Sequence, residues 1–232
     1  MGRAGNAAGL KRVGKKLLGP SAGVYVDEDS KKAAIEAGNE LVKFTIDDIK
    51  QLKLDFVNAA KLAIDVAGFD FVEINAGHGF VFAQFLDPEM NFRSDRYGGS
   101  IENRTRLLLE VVDELSAVIG AHKVGIRLSP YTVFNGCSGA ASEVMHPIAK
   151  YSYLYSELER RGKDNPSDRI AFIHQVEARV ASGDENGDPG YNSEWVNQIW
   201  KGILIRTGGY LHQADYKNLK EAIEEWFKVD TL

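Results

Sequence analysis

From residue 44 onward, short apolar runs alternate with longer amphipathic stretches. Ile49, Leu52, Phe56, Ala59, Ala60 and Ala63 recur at helical spacing behind Thr45. The Thr45 hydroxyl can cap that helix, and Asp48 places negative charge in its first turn. Gly68 stops the helix, and residues 69–74 read as a buried strand. Ser100 caps the next helix, whose stripe is Leu107, Leu108, Val111, Val112, Leu115, Val118 and Ile119, and Gly120 ends it. Residues 123–128 form a second strand, followed by a loop with Pro130 and a helix over 147–161. A third strand covers 169–174, a Gly/Asp/Asn-rich loop 182–192, and a short helix 195–200. Residues 202–206 form a fourth strand ending at Gly208-Gly209, and a helix over 213–227 closes the pattern.

Four strand-then-helix units of similar length predict an α/β fold with a parallel sheet and right-handed crossovers. Residues 1–43 contain no such unit. Their Gly, Asn and Lys content predicts an extended surface segment with one short helix near 30–37, leaving 44–232 as the α/β domain.

Composition narrows the partners. The chain has 232 residues, 44% hydrophobic and 26% charged, which is ordinary for a globular domain. A net charge of −5 offers no basic stripe to neutralise phosphates, so no nucleic-acid partner is expected. No run approaches the ~18 apolar residues of a membrane span. The first residues lack the apolar core of a secretory signal, and Asn6 breaks the myristoylation pattern after Gly2. A single cysteine, Cys137, excludes a disulfide framework and fits a reducing compartment, so a cytoplasmic protein is expected.

Candidate chemistry gathers at 71–80, Phe-Val-Glu-Ile-Asn-Ala-Gly-His-Gly-Phe. An apolar run that ends in Asn75 and His78 among small residues is how a buried parallel strand delivers side chains to a site. Both residues can donate a hydrogen bond, the Asn through its amide and the His through a ring N–H. The competing reading is that they satisfy loop backbone. No metal role is expected, because Asn is a poor ligand and no carboxylate or second His has suitable spacing. Arg127 ends an apolar strand, where an unpaired guanidinium is costly, and this favours a site over packing. His174 ends another strand and reads as a satisfied core histidine or as a residue facing a site.

The segment Gln84-Phe-Leu-Asp-Pro-Glu-Met-Asn-Phe-Arg-Ser-Asp-Arg-Tyr-Gly-Gly-Ser-Ile-Glu-Asn-Arg104 resembles the Old Yellow Enzyme family. Gly125-Ile-Arg-Leu-Ser-Pro-Tyr131, Ser156-Glu-Leu-Glu-Arg-Arg161 and Ile199-Trp-Lys-Gly202 match in order, so the resemblance runs along essentially the whole chain and is strongest to fungal members. It implies part of a (β/α)8 barrel, about four consecutive βα units corresponding to family strands four to seven. Gly2-Arg-Ala resembles the end of the third family strand, and Leu232 falls just before the eighth. The strands before and after would carry a Thr and a Gln near the flavin and a Gly-Arg pair for its phosphate.

By the same resemblance, FMN is the cofactor, NADPH the reductant, and an enone or quinone the acceptor. Asn75 and His78 would hold the acceptor's carbonyl oxygen, Arg127 would approach the flavin N1/O2 edge, and Gly208 and Gly209 would bring backbone N–H groups to the phosphate. A plain left-handed turn explains that Gly pair equally well. Phe134 matches an aromatic beside the substrate pocket, although loop aromatics more often pack. Phe80 stands where the family typically has the Tyr that protonates the substrate α-carbon, and Phe has no proton to give. Glu102, Asn103 and Arg104 are expected to fix the preceding Tyr-Gly-Gly turn. Two functional readings follow: an NADPH- and FMN-dependent oxidoreductase with impaired proton donation, or a non-catalytic fragment that does not retain FMN. Two open sheet edges also raise a homodimer that closes an eight-stranded barrel.

Overall fold

The computed structural model describes residues 1–180, 192–211 and 216–229. The chain begins with α1 (Ala7–Arg12), β1 (Leu18–Gly19), α2 (Glu28–Glu36) and β2 (Val42–Lys43). It continues through α3 (Ile46–Lys61), β3 (Val72–Asn75), α4 (Val81–Leu86) and α5 (Ile101–Ile119). Then follow β4 (Val124–Leu128), α6 (Pro147–Asp164), β5 (Phe172–Val176), α7 (Trp195–Ile199), β6 (Ile203–Thr207) and α8 (Lys217–Val229). Positions 182–191 of the Gly/Asp/Asn-rich loop, and 213–215 at the start of the last expected helix, lie outside the described residues.

Residues 1–43 differ from the extended segment read in the sequence. They hold two helices, and β1 pairs with β2 in parallel. Ala7, Leu17, Ala34 and Leu41 form a small core of their own. The Asn39 amide donates to the carbonyls of Ala7 and Lys15, and its Oδ1 accepts from Leu17 N–H. Helices this short leave too few turns for a period to stand out, so the local sequence reads as loop. Arg3 ties this segment to the site loop: its guanidinium donates to the carbonyls of Val24, Tyr25, Asn135 and Gly136.

β3, β4, β5 and β6 lie side by side in sequence order, all parallel. One face packs on the helices, placing Ile74, Ile126 and Ile173 in a core with Leu107, Leu108, Val111 and Val112 of α5 and Leu154 and Leu158 of α6. The predicted caps form: Thr45 and Asp48 make a reciprocal capping box on α3, and Ser100 accepts from Asn103 N–H on α5. α4, missed in the sequence, is buried along its whole length. Four sequential parallel strands with helices on one face are half of a (β/α)8 barrel.

The other face would line a barrel interior. It carries Glu73 and Asn75, Gly125 and Arg127, Phe172 and His174, and Ile203 and Ile205, following the strand alternation. Among the described residues, neither β3 nor β6 has a strand on its outer edge. Large apolar side chains stand exposed at both edges: Phe69 at 64%, Phe71 at 54% and Ile203 at 66%. Beside β3, Phe56, Ala59, Ala63, Phe69 and Phe71 line an open groove of about 390 Å³.

Candidate active site

The sheet register puts Asn75 opposite Arg127, Arg127 opposite His174, and His174 opposite Ile205, one layer across the C-terminal ends of the strands. After Asn75 the ladder runs one residue further, Ala76 N–H donating to Arg127 O at 2.9 Å. The chain then turns sharply. His78 and Gly79 adopt φ of 51° and 70°, and Phe80 N–H closes the turn onto Gly77 O at 3.1 Å. A Cβ on Gly77 would stand 2.6 Å from Ser129 Oγ, and one on Gly79 would stand 2.7 Å from Phe134 O. The small residues of this motif are therefore required by the approach of the 129–135 loop.

That loop clamps the His78 backbone in the left-handed region, which a non-glycine residue rarely adopts. His78 N–H donates to Ser129 Oγ at 2.7 Å, and Asn135 Nδ2 donates to His78 O at 2.7 Å. The half-buried imidazole is contacted by Arg127, whose Nη1 lies 3.0 Å from Nδ1, and by the edge of the Phe134 ring at 5.8 Å between centroids. Burial holds the His78 pKa below the ordinary histidine value, with further lowering by Arg127 and then His174. Asn75 is exposed, and its Oδ1 accepts from Gly77 N–H at 3.3 Å. Its Nδ2 has no hydrogen-bond partner among the described residues. Arg127 likewise makes no ion pair among the described residues.

The structure thus brings Asn75, His78, Arg127 and Phe134 together. Phe80, half-buried, sits at the N-cap of α4 directly after the turn. Gly208 and Gly209 end β6, two strands from Arg127, about 10 Å at ordinary strand spacing. Their φ values are 118° and 66°, and a Cβ on Gly208 would stand 2.6 Å from Val180. Three polar residues escaped the sequence reading of the site. Ser129 and Asn135 act on the His78 backbone. Glu73 takes His174 as its partner, Oε2 to Nδ1 at 2.8 Å, so His174 is satisfied but lies on the interior face rather than in the core. Glu73 could have been found, since it alternates with Asn75 on one strand face. Of the trio after Ser100, Asn103 donates to Gly98 O, and Arg104 donates to the carbonyls of Gly99, Asp87 and Asn91. Glu102 instead takes a hydrogen bond from Ser100.

Residues 4–224 match the model of the NADH:flavin oxidoreductase / NADH oxidase family. The chain belongs to this family, the family of the Old Yellow Enzymes. It is 42% identical over 219 residues to Enoate reductase 1 of Kluyveromyces lactis, covering 93% of this chain and 54% of that protein. It is 43% identical over 225 residues to a probable NADPH dehydrogenase of Candida albicans, covering 94% and 53% respectively. The Old Yellow Enzyme of Pichia sp. AKU4542 superposes with a TM-score of 0.87 at 46% identity, over 97% of this chain and 53% of that one. Morphinone reductase gives 0.72 at 32% identity, over 95% and 57%. The chain therefore spans about half the length of the relatives it matches, and the partial barrel is half of their fold.

Membership in this family implies FMN as the bound group. The residues present fit that group in chemistry. Arg127 is a cation without a carboxylate partner among the described residues, suited to the electron-rich edge of a reduced flavin. Gly208 and Gly209 form a turn that excludes side chains, as a backbone approach to phosphate requires.

Proposed function

We propose that this chain forms the acceptor-binding and part of the flavin-binding side of an Old Yellow Enzyme-type NADPH oxidoreductase. When bound, FMN supplies hydride transfer from NADPH to the acceptor. Asn75 Nδ2–H and the His78 ring N–H donate to the acceptor's oxygen, where negative charge develops. Arg127 would balance negative charge on the flavin N1/O2 edge, Gly208 and Gly209 would offer backbone N–H groups to its phosphate, and Phe134 would wall the acceptor pocket. The observation that carries this reading is that Arg127 pairs with Asn75 in the register and contacts His78 from the turn that follows, gathering the three at the strand ends.

Phe80 then selects among acceptors. Reduction of an enone needs a proton on the α-carbon, which the phenyl ring cannot give. Reduction of a quinone leaves its charge on oxygen, where water delivers the proton readily. Quinones are therefore the better acceptors of this protein, and enones turn over slowly. The test is NADPH oxidation by FMN-loaded protein with a benzoquinone and with a cyclohexenone. Faster quinone reduction supports the proposal, and enone turnover equal to or above it overturns the role given to Phe80.

The exposed edges of β3 and β6 favour a second reading, a family fragment that does not retain FMN. Colourless protein that takes up no added FMN decides for it.

A further inference from the structure

We infer that Arg127 is a positioning residue that fixes the tautomer of His78, leaving a neutral ring with its single proton on Nε2. The significance of this inference, though not its geometry, rests on the function proposed above. A guanidinium has five N–H donors and no acceptor, and it stays protonated at any working pH. The 3.0 Å contact between Arg127 Nη1 and His78 Nδ1 therefore has one sense: Nδ1 accepts and carries no proton. The neutral imidazole must then be protonated at Nε2, and Nε2 has no hydrogen-bond partner among the described residues. The one N–H of the ring is thus the one free to meet an acceptor's oxygen.

The surroundings hold this arrangement. Ser129 Oγ and the Asn135 amide fix the His78 backbone at its N–H and its carbonyl, and Phe134 lies against the ring edge. Protonating Nδ1 would replace the Arg127 hydrogen bond by two facing donors and two like charges. The other titratable groups near the ring are His174, with Glu73 as its own partner, and Cys137 beside Gly79. Burial pushes the Cys137 thiol up to about 12, so it stays neutral and offers no countercharge. The device depends on His at position 78. An amide there would present a donor at any pH, whereas this ring presents Nε2–H with its partner nitrogen held only while Arg127 is in place.

Long-range 1H–15N correlation spectra of the protein without added flavin test this, with His78→Asn assigning the signal. The expected result is an Nε2–H tautomer with unprotonated Nδ1 and a titration below that of free histidine. Arg127→Ala should give a mixture of tautomers and move the titration upward, and Arg127→Lys, which restores a donor and a charge, should recover most of the Nε2–H form. A wild-type ring protonated on Nδ1 overturns the inference without need of any variant. So does an Arg127→Ala protein whose His78 tautomer and titration are unchanged. Neither readout involves FMN or turnover, so failure here is distinct from failure of the proposed oxidoreductase activity.

Discussion

The carboxylate of Glu73 reaches His174 Nδ1 at 2.8 Å, spanning from β3 to β5 over the middle strand. Gly125, opposite Glu73 in the register, has no side chain, and the Phe172 ring packs over it. Interior polar groups and the glycine form one arrangement that the sheet register alone brings together.

Gly125→Ala should therefore destabilise the protein, since the new methyl collides with the Phe172 ring. Overpacking of this kind costs about 1–3 kcal/mol. Glu73→Gln, removing the charge from a partly exposed pair, should cost less than about 1 kcal/mol. Urea unfolding of both variants checks the order, and adding Phe172→Leu to Gly125→Ala should recover part of the loss. Equal stabilities for Gly125→Ala and wild type would contradict the packing argument.

Phe80→Tyr places a hydroxyl where the resemblance puts the proton donor. In FMN-loaded protein it should raise enone reduction by about 10²–10⁴-fold, the usual span of general-acid catalysis. Quinone reduction should stay within a few-fold. A gain confined to quinones would be inconsistent with the selection argued for Phe80.

The depressed pKa of His78 has a defined sign in stability. The unfolded chain binds a proton near the ordinary value of about 6.5, while the folded protein resists it. Across the interval from about 6.5 down to the lowered value, the unfolded state holds more protons, and stability falls as pH falls. His78→Asn should flatten that part of the wild-type profile. Chemical denaturation at a series of pH values reads the difference, and parallel profiles for the two proteins would rule the linkage out.

The edge strands make a prediction about association. Phe71, just before β3, and Ile203 on β6 are exposed beside strand edges that are unpaired among the described residues, a template for pairing with another chain. Sedimentation should show concentration-dependent self-association, reduced in a Phe71→Asp, Ile203→Lys double variant. A monodisperse monomer at all concentrations would contradict it.

Much of this architecture is legible locally. The 3.6-residue stripes of α3 and α5, their Thr45 and Ser100 caps, and the apolar runs of β3 to β6 each announce their element within a short window. Strand boundaries are less so: residues 69–71 share the apolar run but lie outside β3, which starts at Val72, where pairing with Val124 begins. α4 has no polar face to mark its period, because every residue in it is buried. In the site, Asn75 and His78 are visible as a polar break after a strand, and Arg127 as a charge closing another. The contacts of His78 with Ser129 and Asn135, and of Glu73 with His174, join residues 51, 57 and 101 positions apart. They depend on which strand ends become neighbours, and no local pattern encodes that.

The proposed function requires a flavin site at the Arg127 layer. Titration of the purified protein with FMN, followed by quenching of flavin fluorescence, tests it most directly. Saturable uptake of one FMN per chain, weakened at least ten-fold by Arg127→Ala in a variant that keeps its fold, is the result predicted. No uptake, or uptake indifferent to Arg127, would contradict it.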